Sequence, residues 1–476
     1  MTIEHFLVMA YLAVCIGIGI LASRKVLTSH DEYWVAGRRI GSFVNAMAIM
    51  AALASGGSVI GVMGLAYGRG IPYTLALFAG AVVGFPIASI LIARPLRNFG
   101  KFTITDFLTF RYPHSIVRYF VPVLIVVSFT AYIVAQMKAA GITAFVLLGI
   151  PYDTAVTLAA IVFILYVSIG GMVAITWTDV VQGFLMLTIV LGTALTLMSR
   201  DGSPVTIIAK ATAGAPELGE VMSQPLGSYL GSFLIWATAI SVVPHIVMRV
   251  FTAKNSREAR LSMNLSMIFY SVLILAAVLV IVPVGRMHFS NLQDADMIFL
   301  KVIESEFPPL IRGFAVAAVM AAVMSTTDAL LLACSSAISH DLLGPFIEKR
   351  RSRKWGRWMT VAVAWIIGLL AMLFAYSPPK LITEFYSAAI GILSAALFVP
   401  TLAGLWWKKA NVSGGLASLL LGTFVYAAVQ FMPGTPAMSA ILAALPASAF
   451  GMWFFSRFGQ PNQPEMVREI EKLHES

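Results

Sequence analysis

Apolar stretches of about twenty residues, the length that a membrane-spanning helix needs, recur from one end of this 476-residue chain to the other. A backbone inside a bilayer must also satisfy its own hydrogen bonds, which a helix does. Thirteen such stretches lie at residues 4–22, 42–68, 73–96, 117–147, 153–171, 173–199, 227–251, 261–285, 309–343, 356–376, 381–407, 413–432 and 436–456. The pattern therefore predicts an all-α polytopic membrane protein with about thirteen transmembrane helices.

Charge is scarce and unevenly placed along the sequence. Charged residues make up 11% of the chain and hydrophobic residues 59%, whereas a soluble protein of this size needs far more charge at its surface. Lys and Arg concentrate in alternate loops, beginning with Arg24 and Lys25 and including the run EKRRSRKWGR at 348–357. Because basic loops stay on the cytoplasmic side, the N-terminus is predicted outside the cell and the C-terminus inside.

The same distribution excludes several classes of protein. The net charge of +10 follows from membrane topology, so the lipid bilayer is an expected partner and nucleic acid is not. Cys15 and Cys334 both lie in predicted spans, so neither a disulfide framework nor a metal cluster is expected. The first span lacks the basic start of a cleaved signal peptide. The expected location is the cell membrane, and the inner membrane if the source is bacterial.

One predicted span carries polar side chains in its middle, in the stretch VAAVMAAVMSTTDALLLACSS at 316–336. At about 100° per residue, its small residues fall on one helical face. That face holds Ala315, Ala318, Ala322, Ser325, Ala329, Ala333 and Ser336. Close packing explains the alanines, and hydroxyls often bond back to carbonyls one turn earlier. Ser325 and Thr326 with Asp328 nearby nevertheless favour a cation site, because carboxylates inside membranes mark ion or substrate paths.

A cation needs more oxygen ligands than one regular helix provides, because helical carbonyls are already hydrogen-bonded. The second span, AMAIMAALASGGSVIGVMGLAYG, has a predicted break at Gly56 and Gly57, where glycine lowers the cost of leaving helical geometry. The carbonyls of Ala51 and Ala54, just before that break, are predicted to be free for the cation. Close helix packing is the alternative role of the two glycines.

A second interruption is predicted five spans later at Pro244, which lacks a backbone donor and disrupts the preceding turn. Paired broken helices in oppositely oriented halves indicate a secondary transporter. The predicted organisation is a single membrane domain with an extra helix at 4–22, inverted repeats at 42–199 and 227–407, two C-terminal helices at 413–456 and a cytoplasmic tail at 457–476. The tail is expected to be a solvated end, with a short amphipathic surface helix as the alternative.

Four motifs resemble the sodium:solute symporter family. IGGMVAITWTDVVQG at 169–183 is similar to its most recognisable motif, and AAVMSTTDALLLACSSAISHDLL at 321–343 resembles its eighth core helix. NAMAIMAALASGGSVIGVMG resembles the first core helix, and VPHIVMRVFTAKNSREA the end of the sixth. The likeness covers nearly the whole chain. It implies a five-plus-five inverted repeat with flanking helices and an outside N-terminus.

The resemblance also implies ligands. A sodium site is expected between core helices one and eight, formed by the carbonyls of Ala51, Ala54 and Ala322 and the hydroxyls of Ser325 and Thr326. Asp179 matches a carboxylate that in some relatives lies beside the sodium path or serves a second sodium site. A second cation site formed by Asp179, Ser325 and Asp328 is therefore one hypothesis. The alternative is that the carboxylates belong to a structural hydrogen-bond network. Matching positions for the substrate are Tyr132, Gln136, Trp236, Ile240 and Pro244.

The expected activity is sodium-coupled symport by alternating access, without enzymatic catalysis, with Na⁺ as coupling ion and no cofactor. TAYIVAQMKAAG resembles carriers of acetate and short monocarboxylates, and GLWWKKANVSGGL resembles pantothenate carriers, so a small organic anion is the expected substrate. Proline, another amino acid or a sugar is the alternative substrate. A proton-coupled carrier, a facilitative carrier or a solute sensor is the alternative function. Lys138 either attracts an anionic substrate, snorkels outward or pairs with a structural carboxylate. The oligomeric state is not predicted.

Overall fold

The computed structural model describes residues 2–26, 34–343 and 353–475. Within those ranges the chain is built from helices, and its one β-type contact is an isolated bridge between Ile40 and Ala253. The basic run at 348–357, predicted to lie inside the cell, falls partly outside the described residues. The all-helical prediction is therefore confirmed for the part of the chain that is described.

The helices are numbered in chain order, and the two segments of a broken span are numbered separately. The first half contains α1 Ile3–Val26, α2 Ser42–Leu53, α3 Gly57–Arg69, α4 Ile71–Phe99, α5 Ile104–Arg111, α6 Ser115–Leu148, α7 Tyr152–Ser168, α8 Gly171–Asp201 and α9 Pro204–Gly214. The second half contains α10 Leu226–Val242, α11 Pro244–Thr252, α12 Ser256–His288, α13 Ile298–Glu306, α14 Pro309–Leu342, α15 Arg353–Ala375, α16 Ile382–Trp406, α17 Val412–Gln430, α18 Ile441–Phe458 and α19 Pro464–Lys472.

Many of these helices have the length and composition of membrane spans. Among the described residues, eleven helical segments are long and apolar enough to cross a membrane, and the bent pair α2–α3 brings the number to as many as twelve. The shorter apolar helix α7 coincides with the span predicted at 153–171. These segments confirm a polytopic membrane protein. Thirteen crossings, the outside N-terminus and the domain boundaries remain predictions.

Two spans are broken, as the sequence predicts. α2 and α3 meet at an angle of 60°, and Ala54 between them has non-helical torsions of φ −72° and ψ 62°. The second break is at Val243, which is extended, with φ −68° and ψ 125°, and Pro244 begins α11. The two halves also match in a further detail, because α4 and α12 each contain a π-helical turn, at Ala88–Ile92 and Ala277–Ile281.

The first break lies slightly earlier than the glycine pair on which it was predicted. Gly56 has helical torsions of φ −52° and ψ −35°, so its backbone does not require glycine. The available space does require glycine at both positions. A Cβ atom at Gly56 would lie 2.7 Å from the Cβ of Ala139, and one at Gly57 would overlap the ring of Tyr386. The two glycines therefore allow close packing beside the break, which was the alternative role considered for them.

α14 lies at the centre of the bundle. Its most apolar stretch is fully buried, whereas only 28% of the corresponding stretch of α1 is buried. α14 packs against α1, α6 and the stretch that contains α7 and α8, so its polar residues are enclosed by protein and do not face lipid. Gly171 makes the sharp turn between α7 and α8, with the positive φ of 57° that favours glycine.

The C-terminal tail differs from its preferred prediction. Residues Pro464–Lys472 form α19, with Ile470 buried against the bundle. The side-chain amide of Asn98 donates a hydrogen bond of 2.9 Å to the carbonyl of Leu473. Ile470 and Leu473 are one helical turn apart, so they present a small apolar face that a solvated end would leave in water. The tail is a docked amphipathic helix.

Candidate functional site

The break after α2 frees backbone carbonyls that a continuous helix would use. In such a helix the amides of Ser55 and Gly56 would donate to the carbonyls of Ala51 and Ala52. Instead, the Ser55 amide donates to the carbonyl two residues before it, at 2.8 Å, and the Gly56 amide donates to Oε1 of Gln136, at 2.9 Å. The Ala51 and Ala52 carbonyls are thereby left for side chains.

Hydroxyl groups of α14 donate hydrogen bonds to those two carbonyls. Oγ of Ser325 donates to the carbonyl of Ala51 at 2.8 Å and to that of Ala322 at 3.1 Å. Oγ1 of Thr326 donates to the carbonyl of Ala52 at 2.9 Å. All of these residues are buried. Oxygen atoms from the broken α2 and from the middle of α14 thus converge.

Four of the five predicted sodium ligands lie in this convergence, and the fifth, Ala54, lies in the break itself. Ala52 belongs to the arrangement too, although the sequence analysis did not name it. The sequence has no signal for it, because the carbonyls that face α14 depend on the residue at which α2 ends. Hydroxyls rotate freely and carbonyls have spare lone pairs, so the same atoms suit a hard cation such as Na⁺.

Aromatic side chains gather beside the break. The rings of Tyr132 and Tyr386 are stacked, with centroids 4.6 Å apart and an interplanar angle of 8°. Trp236 meets Tyr386 edge to face at 5.8 Å and donates from Nε1 to Oγ of Ser387 at 3.3 Å. The hydroxyl of Tyr132 donates to Oγ of Ser55 at 3.2 Å. The cluster therefore joins α6, α10 and α16 to the broken span.

The structure brings together three of the five predicted substrate residues, Tyr132, Gln136 and Trp236, around the break. Ile240 instead packs against α4, where a Cβ atom at Gly84 would lie 2.8 Å from its Cγ1. Pro244 begins α11 and borders a separate small cavity beside α5. Tyr386 was missed by the sequence analysis, since an aromatic residue in an apolar span gives no signal of its own.

A second polar group lies between α8, α11 and α14. The guanidinium of Arg249 forms a buried salt bridge with Asp179 and donates to Oγ1 of Thr176 at 2.8 Å. Asp179 and Arg249 lie close enough to Asp328 to affect it electrostatically. Both carboxylate oxygens of Asp328 are buried, and no described residue gives them a hydrogen bond. Two of the three predicted second-site residues, Asp179 and Asp328, are therefore neighbours.

Arg249 was not among the predicted site residues, although a signal existed. A charged residue inside a predicted span calls for a buried partner and a function. Ser325, the third member of the predicted second site, directs its hydroxyl to the carbonyls of Ala51 and Ala322. Arg249 already supplies a positive charge where the second cation was placed.

Lys138 pairs with carboxylates near the ends of the core helices that are predicted to face outside. Its Nζ lies 2.7 Å from Oδ2 of Asp296 and 3.0 Å from Oδ2 of Asp294, and it donates to the carbonyl of Lys380 at 2.9 Å. The amide of Ile382, at the start of α16, also donates to Asp296 at 3.0 Å. Of the alternatives for Lys138, the structure shows pairing with structural carboxylates.

Comparison with known proteins identifies the family to which this chain belongs. Residues 33–422 match the sodium:solute symporter family. The chain belongs to that family. It is 28% identical over 422 residues to the osmoregulated proline transporter OpuE of Bacillus subtilis (strain 168), a match that covers 87% of this chain and 85% of that protein. The predicted family is therefore confirmed. Its members are transporters and not enzymes, as predicted.

Solved structures show the same fold. A Na⁺-coupled sialic acid symporter, in a substrate-bound outward-open state, has a TM-score of 0.79 and 17% identity, covering 97% of this chain and 99% of that chain. MhsT in complex with L-phenylalanine has a TM-score of 0.58 and 14% identity, covering 88% of this chain and 98% of that chain. This member of the sodium:solute symporter family is thus a multi-pass membrane protein that couples solute symport to Na⁺.

Proposed function

We propose that this symporter takes up a small solute that carries a carboxylate group, together with Na⁺ bound between α2 and α14. The proposal is supported chiefly by Gln136. Because Oε1 of Gln136 accepts from the Gly56 amide, Nε2 is the free end of the side chain, and it is buried with no acceptor among the described residues. An unsatisfied buried donor costs about 1–3 kcal/mol, and a carboxylate oxygen would remove that cost.

Tyr132, Tyr386 and Trp236 would cover the carbon skeleton of the solute, because aromatic rings bury apolar area with few rotatable bonds. The stacked rings of Tyr132 and Tyr386 occupy the space beside the break, so binding requires them to separate. A compact apolar body with one carboxylate suits this geometry. Proline is one such solute, and the relative from Bacillus subtilis is a proline transporter. Short monocarboxylates and pantothenate are the candidates that the motifs favour.

The proposed sodium ligands are the carbonyls of Ala51, Ala52, Ala54 and Ala322 with the hydroxyls of Ser325 and Thr326. In the present arrangement the hydroxyls donate to carbonyls at 2.8 and 2.9 Å. A cation would replace those bonds and draw α2 and α14 together through five or six oxygen atoms. Since the Gly56 amide ties the broken span to Gln136, Na⁺ binding would also order the donor that receives the carboxylate. Coupling follows from that shared span.

The second cation site remains an alternative proposal, with Asp179, Ser325 and Asp328 as its ligands. It requires Arg249 to withdraw from Asp179, because the guanidinium occupies one side of that carboxylate. The two stoichiometries differ in the charge that they move. One Na⁺ with a monoanion moves no net charge, whereas each additional Na⁺ adds one charge and about 2.3 kcal/mol per 100 mV of membrane potential.

Uptake into proteoliposomes tests the proposal. Purified protein would be given labelled proline, acetate, pyruvate or pantothenate, with glucose as a control, under an inward Na⁺ gradient or an equal choline gradient. We expect one carboxylate-bearing solute to accumulate only with Na⁺, and the Ser325→Ala/Thr326→Ala variant to lose that dependence. Equal uptake in choline would instead indicate a proton-coupled or facilitative carrier. Uptake of glucose alone would overturn the carboxylate proposal and leave the sodium site in place.

A further inference from the structure

A small cavity lies between α5, α11 and the end of α14, on the side predicted to be cytoplasmic. It has room for about one water-sized particle. Asp341 and Ser336 of α14 line it, together with Thr105 of α5 and Pro244, which begins the inner segment of the broken sixth core helix. The cavity therefore touches α14, which carries the hydroxyls of the central site, and α11, the second segment of a broken span.

The polar atoms of this cavity are poorly satisfied. Oγ of Ser336 and Oδ2 of Asp341 are buried beyond normal hydrogen-bond distance of any donor in the described part of the chain, and the buried hydroxyl of Thr105 lies beside the Asp341 carboxylate and interacts with it. The Asp341 side chain is only 3% exposed, and its other oxygen accepts from Oγ1 of Thr103 at 3.1 Å. A buried carboxylate is costly unless a cation or hydrogen bonds offset its charge. One carboxylate with two hydroxyls is a set of hard oxygen ligands.

The nearby histidine is engaged elsewhere. Nε2 of His340 lies 3.2 Å from Oδ1 of Asp106 but 4.0 Å from Oδ1 of Asp341. Burial raises the pKa of Asp106, but hydrogen bonds from His340 and from the amides of Phe102 and Thr103 outweigh burial, and its pKa is lowered overall. Asp106 therefore favours its ionised form, and His340 is hydrogen-bonded to it. Asp341 is the carboxylate of this group that faces the cavity.

The cavity lies at one end of the small-residue face of α14. Ser325, Ala329, Ala333 and Ser336 follow one another along that face, and Ala333 and Ser336 border the cavity. The eleven steps along the helix from Ser325 to Ser336 span about 16 Å. Small side chains leave room beside this face when neighbouring helices move apart. A cation that leaves the central site towards the predicted cytoplasmic side would move along this face to the cavity.

We propose that Asp341, Ser336 and Thr105 form a low-affinity site for Na⁺ on its way from the central site to the cytoplasm. This inference rests on the proposed central sodium site and adds a second stop on the release path. The site holds the ion by one carboxylate and two hydroxyls, so it is selective for a small hard cation and weaker than the central site. It is separate from the group around Asp179, which lies on α8.

Equilibrium binding of radiolabelled Na⁺ to the full chain in lipid nanodiscs tests the inference without a substrate. We expect two saturable components in the wild type. Ser325→Ala/Thr326→Ala should remove the tight component, and Asp341→Asn should weaken the other at least about tenfold, because affinity follows ligand charge. Asp106→Asn is the matched control and should leave both components in place. A weak component that persists in Asp341→Asn, or that Asp106→Asn also removes, overturns the inference.

Cysteine protection provides a second measurement if Asp341→Asn folds poorly. Cys15 and Cys334 are both buried and would be replaced by alanine before Ser336→Cys is introduced. A small cationic methanethiosulfonate should modify Ser336→Cys, and Na⁺ should slow the reaction several-fold relative to choline. Ser335→Cys is the control, because Oγ of Ser335 points to the carbonyl of Thr360 at 3.2 Å. Absence of modification, or equal rates in Na⁺ and choline, contradicts the proposal.

The two proposals fail in different ways. If the wild type binds no Na⁺ at all, the proposed central sodium site fails, and the release site fails with it. If the tight component is present and is lost in Ser325→Ala/Thr326→Ala, but Asp341→Asn changes nothing, only the release site is wrong.

Discussion

Nζ of Lys138 lies 2.7 Å from Oδ2 of Asp296, and the two side chains are 2% and 0% exposed. The pair joins α6 to the segment before α13, and the Ile382 amide extends the contact to α16. A Cβ atom at Gly64 would overlap Asp296, so α3 lies directly against the same carboxylate. Four core segments therefore meet at one buried ion pair, at their ends that are predicted to face outside.

Removing the charge of Lys138 is expected to destabilise the protein strongly. In Lys138→Met the Asp296 carboxylate stays buried without its cation, a change that costs about 3–5 kcal/mol. Denaturation of the purified variant in detergent would measure the loss. Lys301→Met is the matched control, since Lys301 is one-third exposed and pairs with Glu304 at the surface, where a salt bridge contributes about 0–1 kcal/mol. Equal losses in the two variants would contradict a structural role for the Lys138 pair.

The hydroxyls of neighbouring threonines should differ in their effect on Na⁺. Thr326→Val removes the oxygen that reaches across to Ala52, whereas Thr327→Val removes one that bonds back to Val323 of its own helix at 2.7 Å. We expect the Na⁺ concentration for half-maximal uptake to rise at least about tenfold in Thr326→Val, for the loss of a cation ligand. Thr327→Val should leave it within about twofold. A larger effect in Thr327→Val would move the site to another face of α14.

Gly57 should not tolerate a methyl group. The added Cβ of Gly57→Ala would overlap the ring of Tyr386, which is stacked on Tyr132, and overpacking of this kind costs about 1–3 kcal/mol. We expect loss of solute uptake with the protein still inserted in the membrane. Gly192→Ala serves as control, because a Cβ atom there meets nothing within 4 Å. Uptake that survives in Gly57→Ala would show that Tyr386 has room to move away.

The ratio of Na⁺ to solute should be one. Arg249 is paired with Asp179, so the wild type is expected to carry one labelled Na⁺ per labelled solute in parallel flux measurements. Asp179→Asn removes the partner of a buried guanidinium and is expected to lower uptake without changing that ratio. A wild-type ratio of two that falls to one in Asp179→Asn would instead establish the second sodium site.

The fold could be predicted from local patterns, because the bilayer sets the span length and the two breaks lie beside Gly56 and Pro244, which stand out in the sequence. Ser325, Thr326 and Ala51 could be placed for the same reason, since polar atoms in such a span need partners. Ala52 and Tyr386 could not. Their roles depend on where α2 ends and on which helix packs beside it. Ile240 shows the same limit, because its packing against Gly84 is a tertiary contact that no local pattern indicates.

The docked tail has one further consequence. Asn98 at the end of α4 holds the carbonyl of Leu473, and the ring of His474 lies 4.3 Å from that of Trp406 at the end of α16. α19 therefore fastens a helix of the first half to a helix of the second. Because α19 is held against the bundle, a domain or affinity tag fused beyond it would need a flexible linker of its own to move freely.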